Sequence, residues 1–439
     1  MCELLQSVKE QITEIENEIT ANKYQLDEPN LIDMPVEIFL QICSFLDAYF
    51  LKNTLSKVCL RFCDILADDQ LWKHWVQNKI KGKFPPVGDL KKWNVDPADW
   101  QDLYIAMEVE KKTWCNVEET MKHMVVKDVH FASVDAVLLV NNGELCISGG
   151  RDRGMALWNV SDISAKSETN DGVTSLTDTK PKHLRHDAHA GWVWDLAADV
   201  VNSASKVYSA SWDNTVKAWD LATGFQCIQT FQCGMAALSV VTVGSETLAG
   251  LYSKNILSFD LRSGSGPIYV YTPHKGPVLG LDEYDNLIAS ISEDKTLAVW
   301  DRRAGKILMQ DIKIPTGKAY PVCLSWGPAA LYIGDSKGAL HLFNPETLKF
   351  VHSVLAWPQN QPNNTYCKVT ACHQSESNLI LCSDKGEIKF MYNCYPPQEF
   401  TTVTSTTSEV TQLQYLNGVL VIGTCDSALE FWVPKDKFP

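Results

Sequence analysis

The sequence predicts a mainly β fold, a seven-bladed β-propeller preceded by a small α-helical domain and a linker helix. Three observations predict it. A hairpin motif recurs seven times along the C-terminal part of the chain. A compact apolar segment with helical spacing lies ahead of it. The length, 439 residues, is too great for one small core and suits a propeller plus a modest second domain.

The clearest hairpin is Tyr208–Leu221, YSASWDNTVKAWDL. Ser209 and Ser211 lie on its first strand, and Asp213-Asn214 make the turn. Val216, Ala218 and Trp219 lie on the second strand, which ends in Trp219-Asp220. A turn aspartate accepts hydrogen bonds from nearby donors. An indole in a sheet packs a large apolar area and still has one N–H to satisfy. One hairpin cannot bury its own faces, so copies are required. Three more carry both features: Ile288–Arg302 with Asp294 and Trp300, Ile147–Val160 with Asp152 and Trp158, and the last with Asp426 and Trp432. Weaker copies end in Phe259-Asp260, Phe343-Asn344 and Met391, with Ser253, Lys337 and Lys385 at their turns. The key positions are 158, 219, 259, 300, 343, 391 and 432. After a first gap of 61 the steps are 40, 41, 43, 48 and 41. That is the period of WD repeats, each one four-stranded propeller blade, and seven make a closed ring.

The formal net charge of −14 disfavours nonspecific binding to nucleic acid or an anionic membrane. No apolar run reaches 18 residues and no signal-peptide pattern opens the chain, so a soluble protein of the cytoplasm, the nucleus or both is expected. The 14 cysteines are scattered through strands and read as free, mostly buried thiols.

Taken in order, residues 1–28 form an amphipathic segment. Leu5, Val8, Ile12, Ile15 and Ile19 make a short heptad seam over 3–20. Two readings stay open, a dimerising helix or a helix lying on the next domain. Residues 29–76 hold the helical domain, read as a bundle of three short helices. Asp33 can cap the first, with Pro35 in its first turn. Ile38, Ile42, Phe45 and Leu46 recur at helical spacing, followed by Leu51, Leu55, Val58, Phe62, Ile65 and Leu66, then Leu71-Trp72. This segment is apolar beyond what its size can bury, which points to a partner. It resembles an F-box through Met34-Pro35, Ile38 and Ile42, Phe45-Leu46, Val58-Cys59 and Leu71-Trp72. The resemblance implies docking onto the Skp-type adaptor of a cullin-RING ubiquitin ligase. The matched interface positions are Leu31, Pro35, Ile38, Ile42, Leu46, Val58 and Trp72.

Residues 77–120 connect the domains. Their lysines, Lys79, Lys81, Lys83, Lys91 and Lys92, lack the interleaved aromatics of a nucleic-acid site. A helix is expected from about Asp96 or Pro97, with Trp100, Leu103, Tyr104 and Met107 on one side. The propeller occupies 121–439. Its last copy stops one strand short, and Met124–Val129 should supply the missing strand, closing the ring without an exposed edge. Residues 161–188 are polar and read as a long loop. Trp357–Thr365 reads as a second irregular segment.

No G-x-G-x-x-G, P-loop, G-x-S-x-G or H-E-x-x-H pattern is present. Cys367, Cys372, His373, Cys382 and Cys394 lack the paired spacing of a zinc site. No cofactor is implied. His189 with Asp213 and Trp219, and His274 with Asp294 and Trp300, read as structural networks completed by Ser209 or Ser211 and by Ser290 or Ser292. Function should sit on the face that carries the residue before each turn aspartate: Arg151, Trp212, Tyr252, Glu293, Ser336, Asp384 and Cys425. Ser133, Trp192 and Pro277 begin the facing strands. Arg151, Trp192, Trp212, Tyr252 and Glu293 are the candidate substrate-binding set, because aromatics and arginine anchor protein partners. Glu293 and Asp384 argue against a phosphate-reading face and for a mainly apolar one.

An F-box followed by WD repeats is similar to the F-box/WD-repeat family over nearly the whole chain. The resemblance implies a non-catalytic substrate receptor. The F-box would hold the adaptor and, through it, a cullin and a RING subunit, while the propeller holds an unidentified protein substrate. A scaffold that binds the adaptor without degrading its partner is the alternative.

Overall fold

Pro35, with its fixed φ and no N–H, precedes helix Val36–Cys43 and occupies the cap position itself. Phe39 and Cys43, four residues apart, form the helix's buried stripe. Asp47 caps the next helix, Ala48–Asn53, accepting the Phe50 N–H at 3.1 Å. A 3-10 turn, Leu55–Lys57, follows. The extended Cys59 then starts Leu60–Leu66, and Asp69–Lys79 comes after it. The Asp47 cap and the extended Cys59 divide the run, so four α-helices stand where three were expected. Phe39 stacks on Phe62 (centroids 4.4 Å apart, 16° between planes), with Cys43, Ala48, Leu51 and Leu66 buried around them. Trp72 corrects an expectation. It belongs to this core rather than to an interface, and its indole N–H donates to Leu66 O at 2.7 Å.

The computed structural model describes residues 32, 34–87, 100–166, 172–176, 179–357, 366–375, 377–407 and 409–438. The chain divides into two compact units between Trp72 and Lys73. The seam 3–20, Leu31, Asp33, the expected start of the linker helix and residues 358–365 lie outside the described residues. Among the described residues no helix is long and apolar enough to cross a membrane.

The second unit holds a seven-bladed propeller, six of whose sheets are four-stranded and antiparallel while the seventh carries a fifth, parallel strand. Blade 1 is Val134–Val140, Leu145–Gly150, Met155–Asn159 and His183–Arg185. Blade 2 is Val193–Ala198, Lys206–Ser211, Thr215–Asp220 and Gln226–Gln232. Blade 3 is Ala237–Val243, Glu246–Leu251, Ile256–Asp260 and Tyr269–Tyr271. Blade 4 is Val278–Tyr284, Leu287–Ser292, Thr296–Asp301 and Lys306–Lys313. Blade 5 is Pro321–Trp326, Leu331–Asp335, Ala339–Phe343 and Phe350–Leu355. Blade 6 is Val369–Gln374, Asn378–Ser383, Glu387–Tyr392 and Gln398–Thr404. Blade 7 is Val410–Leu416, Val419–Thr424 and Leu429–Pro434, completed from elsewhere in the chain.

Each inner strand adjoins the inner strands of both neighbouring blades, so the ring is closed. Side chains latch successive blades together. Asp195 accepts the Val240 N–H at 2.8 Å, Asp282 accepts the Trp326 N–H at 2.7 Å, and Thr411 Oγ1 donates to Val134 O. Gly149 and Gly423 allow the close approach. A Cβ would lie 2.5 Å from Val193 Cγ1 at the first and 2.5 Å from Val134 O at the second.

Strand Met121–Val126 completes blade 7, pairing antiparallel from Met121 opposite Pro434 to Val126 opposite Leu429. It starts three residues earlier than expected. Residues 161–188 are not simply a loop. Their described part holds most of helix Val160–Ala165, the outer strand of blade 1 and strand Val173–Leu176, which pairs parallel with Met121–Val126. The inserted segment therefore covers the edge that the closing strand would otherwise present.

Linker helix Trp100–Cys115 lies on the propeller. Leu103 and Met107 pack with Val76, Ile80, Tyr392 and Cys394, and Trp114 stacks on Phe390 with centroids 4.1 Å apart. Glu110 accepts from the Trp114 indole at 3.0 Å and from the Tyr415 hydroxyl. The described cysteines are all free. Contrary to expectation fewer than half are buried, and Cys63, Cys115, Cys227 and Cys425 are exposed.

The closing seam is tied by Glu430, which is fully buried. It meets His123 Nε2 at 2.9 Å. It accepts from Ser405 Oγ at 2.6 Å, Thr407 Oγ1 at 2.7 Å and Thr407 N–H at 3.0 Å. Burial alone would raise its pKa, but these donors outweigh burial and hold it at about 2. A carboxyl depressed on folding contributes stability that is present above its unfolded pKa and lost as pH falls through the folded one. From the ordinary 4.5 down to about 2, that contribution is roughly 3 kcal/mol. Glu430→Gln should lower the propeller's melting temperature at pH 7 and make its acid destabilisation between about pH 4.5 and 2 shallower than the wild type's. Melting followed by circular dichroism across that range checks both.

Candidate protein-interaction sites

On helix Val36–Cys43 the inward Phe39 and Cys43 leave Ile38 and Ile42 on the neighbouring stripe. Both are exposed, at 45% and 36%. Pro35, Leu46 and Val58 are exposed as well, alongside Phe45, Tyr49, Phe50 and Leu60. The helical unit thus presents five of the seven residues expected at its interface. Leu31 lies outside the described residues and Trp72 lies in the core. This unit has filled its own core and still shows water a large apolar surface, the mark of a protein-binding face.

In the propeller, the residue before the turn that joins the second and third strands of each blade is placed by one repeated bond. Its N–H donates to the carbonyl that begins the inner strand of the same blade. The pairs are Arg151 to Ser133, Trp212 to Trp192, Tyr252 to Ala236, Glu293 to Pro277, Ser336 to Tyr320, Asp384 to Lys368 and Cys425 to Glu409, at 2.8–3.3 Å. These residues form an inner ring on one face, in the register read from the sequence.

Buried networks hold the turns beneath the ring. In blade 2, His189 Nδ1 donates to Asp213 Oδ2 at 2.8 Å, Ser209 Oγ donates to His189 Nε2 at 2.7 Å, and the Trp219 indole donates to Ser209 Oγ at 2.8 Å. The serine is Ser209; Ser211 accepts the Asp213 N–H instead. Burial lowers the pKa of His189 and keeps it neutral, so the imidazole relays a directed chain of bonds. Blade 1 has the same network through His130, Asp152, Ser148 and Trp158, which sequence reading passed over. Its signal is the serine ten residues before the tryptophan in both blades. Blade 4 departs from it. His274 meets Ser290 at 2.7 Å but reaches Asp294 through the Thr296 hydroxyl, and among the described residues the Trp300 indole has no acceptor. Burial in all three blades, and complete pairing in blades 1 and 2, make these networks structural.

Four of the five candidate substrate-binding residues come together. Trp212 meets Trp192 edge-on with centroids 6.0 Å apart and Tyr252 at 5.2 Å, and the Arg151 guanidinium lies 5.1 Å from the Trp192 ring. Glu293 occupies its ring position in blade 4 and is exposed, beside the blade of Tyr252 rather than within the cluster. Two members were missed. Trp194 is nearly parallel to Trp192 (15°, 6.4 Å) and edge-on to Trp212 at 6.0 Å. Asp135 takes Arg151 Nε at 2.8 Å and Nη2 at 3.2 Å. Spacing held the signal for both: Trp192 and Trp194, like Ser133 and Asp135, are two apart across the start of an inner strand, one residue before it and one within it. The paired carboxylate raises the pKa of Arg151 and fixes its side chain over the indoles.

Ser209→Ala strands His189 Nε2 and the Trp219 indole, whereas Ser211→Ala removes one turn bond. The first should cost about 1–3 kcal/mol more than the second in chemical denaturation, since each orphaned buried polar group carries its desolvation penalty.

A family model described as F-box-like matches residues 31–78. One described as WD domain, G-beta repeat matches residues 180–220 and 265–301. The chain is similar to F-box/WD repeat-containing protein 9 of Homo sapiens, 34% identical over 318 residues, covering 72% of this chain and 65% of that protein. The Bos taurus protein of the same name is 33% identical over 316 residues, with 72% and 64% covered. F-box/WD repeat-containing protein mec-15 of Caenorhabditis elegans is 25% identical over 418 residues, with 92% and 96% covered. The match thus spans just under two-thirds of the human and bovine relatives. An F-box-like motif followed by WD repeats is the order these relatives' names give, and the chain is similar to F-box/WD-repeat proteins in both parts.

Proposed function

We propose that this chain is the substrate-recognition subunit of an SCF-type cullin-RING ubiquitin ligase. One observation carries the reading. The helical unit packs its own core with Phe39, Cys43, Leu51, Phe62, Leu66 and Trp72, yet leaves Pro35, Ile38, Ile42, Leu46 and Val58 in water at F-box motif positions. An apolar face left over after the core is complete suits a permanent partner, here a Skp-type adaptor that brings a cullin and a RING subunit. The exposed aromatic cluster around Trp212 suits a protein substrate, whose binding would bury these side chains as anchors.

In this reading the chain breaks no bond. It acts by proximity, raising the effective concentration of a substrate lysine near the charged ubiquitin-conjugating enzyme. The exposed thiols Cys63, Cys115, Cys227 and Cys425 suit the reducing cytoplasm or nucleus.

Ile42→Asp places a carboxylate in the adaptor interface without touching the core. An unpaired buried charge costs about 3–5 kcal/mol, so adaptor binding should weaken at least about a hundredfold. Affinity purification of wild type and Ile42→Asp, with the proteasome blocked, should lose adaptor and cullin together while other bound proteins persist. Absence of adaptor from the wild-type sample overturns the ligase reading. Persistent partners that the assembled ligase never ubiquitinates favour the adaptor-bound scaffold.

A further inference from the structure

The ring defined by the seven repeated backbone bonds is uneven in chemistry. Blades 2 and 3 place Trp192, Trp212 and Tyr252 on it, all three exposed, and Met235 is exposed beside Ala236. Arg151, at the edge of this cluster, is not available as an isolated cation. Asp135 binds it through both carboxylate oxygens, and Trp192 and Trp194 flank it at 5.1 and 5.7 Å. The other ring cation is Lys368, in blade 6. Three ring residues are carboxylates: Glu293 in blade 4, Asp384 in blade 6 and Glu409 in blade 7. Lys254 and Lys295 belong to the turns beyond the ring positions, and Lys295 Nζ donates to Gly317 O at 2.6 Å. Lys275, near Pro277 in sequence, is paired with Asp311 at 3.1 Å.

A phosphorylated segment laid on this ring would meet three carboxylates against Lys368, which sits beside Asp384 in blade 6, and one arginine whose charge is already balanced. An apolar side chain would meet a continuous aromatic surface, and the next blade would offer it Glu293. Taking the ring as the receptor's target-binding face, we propose that it selects an unphosphorylated segment bearing one large apolar side chain with a lysine or arginine a few residues away. The apolar group seats against Trp192, Trp212 and Tyr252, and the basic group pairs with Glu293. Opposite charge at a solvent-facing position contributes selectivity and encounter rate more than affinity, so the aromatic contact supplies most of the binding.

The test uses the full chain on a positional-scanning peptide array. Each pool fixes one residue (Trp, Leu, Lys, Arg, Asp or phosphoserine) at one position and randomises the others. Trp, Leu, Lys and Arg pools should retain the wild-type chain, and Asp and phosphoserine pools should not. Trp212→Ala should lower signal in the apolar pools about tenfold or more, as expected for an exposed aromatic anchor. Glu293→Lys should reverse the charge preference, losing the Lys and Arg pools and gaining the Asp pools. Both substitutions are on the surface, and an unchanged melting temperature confirms that each variant is folded. Phosphoserine pools ranking first, no pool exceeding the Trp212→Ala signal, or a preference unmoved by Glu293→Lys each overturn the proposal. Adaptor and cullin co-purification is read separately. A chain that holds the adaptor but prefers phosphoserine remains a receptor with a different target chemistry, whereas one that never holds the adaptor is not a ligase receptor.

Discussion

Pairing of strand Met121–Val126 with Leu429–Pro434 is the constraint on which the propeller depends. It joins the two ends of the propeller sequence in one sheet. Only then does blade 7 have four strands and every inner strand two neighbours. A ring of this kind is cooperative, because an open blade leaves unpaired backbone on both sides. The seam is tied by side chains as well as by backbone pairing. Glu430 gathers His123, Ser405 and Thr407 around one buried carboxylate, and the parallel strand Val173–Leu176 covers the remaining edge. Trp432 stacks on His123 with centroids 4.2 Å apart, where an equivalent tryptophan of blade 1 or 2 would bond a serine.

That substitution shows how the blades differ while keeping one architecture. Blades 1 and 2 use a complete histidine–aspartate–serine–tryptophan network. Blade 5 has a phenylalanine at the tryptophan position and turns His341 onto Asp335 and Ser353. In blade 7 the position ten residues before Trp432 is Ile422, which has no hydroxyl, and Glu430 supplies the polar anchor instead. The common requirement is that each turn be held by a buried polar anchor. Several side-chain sets meet it, and this freedom is why the repeats look so unequal in sequence.

The two interaction faces follow from the same principle of residual surface. In the helical unit, residues four apart fill the core and their neighbours on the adjoining stripe are left in water. In the propeller, the inner ring is fixed by backbone bonds and its side chains need pack nothing, so they are open to selection by a partner. Arg151 is the instructive case. Read alone in a turn it is a rim cation, but with Asp135 it becomes a balanced, oriented group that braces two indoles.

Periodicity alone determined the blade count, the turn residues, the inner-ring register and the need for the N-terminal part of the propeller to supply a strand. These are properties of spacing, and a strand's alternation and a blade's repeat are written directly in residue order. Tertiary structure decided what spacing cannot express. It chose Ser209 over Ser211, set Trp72 in the core, built a strand from the polar insertion, and brought Trp194 and Asp135 to Arg151. Each of these depends on which side chains meet across blades or between helices. Such meetings are set by closure of the ring and filling of the core, neither of which is local in sequence.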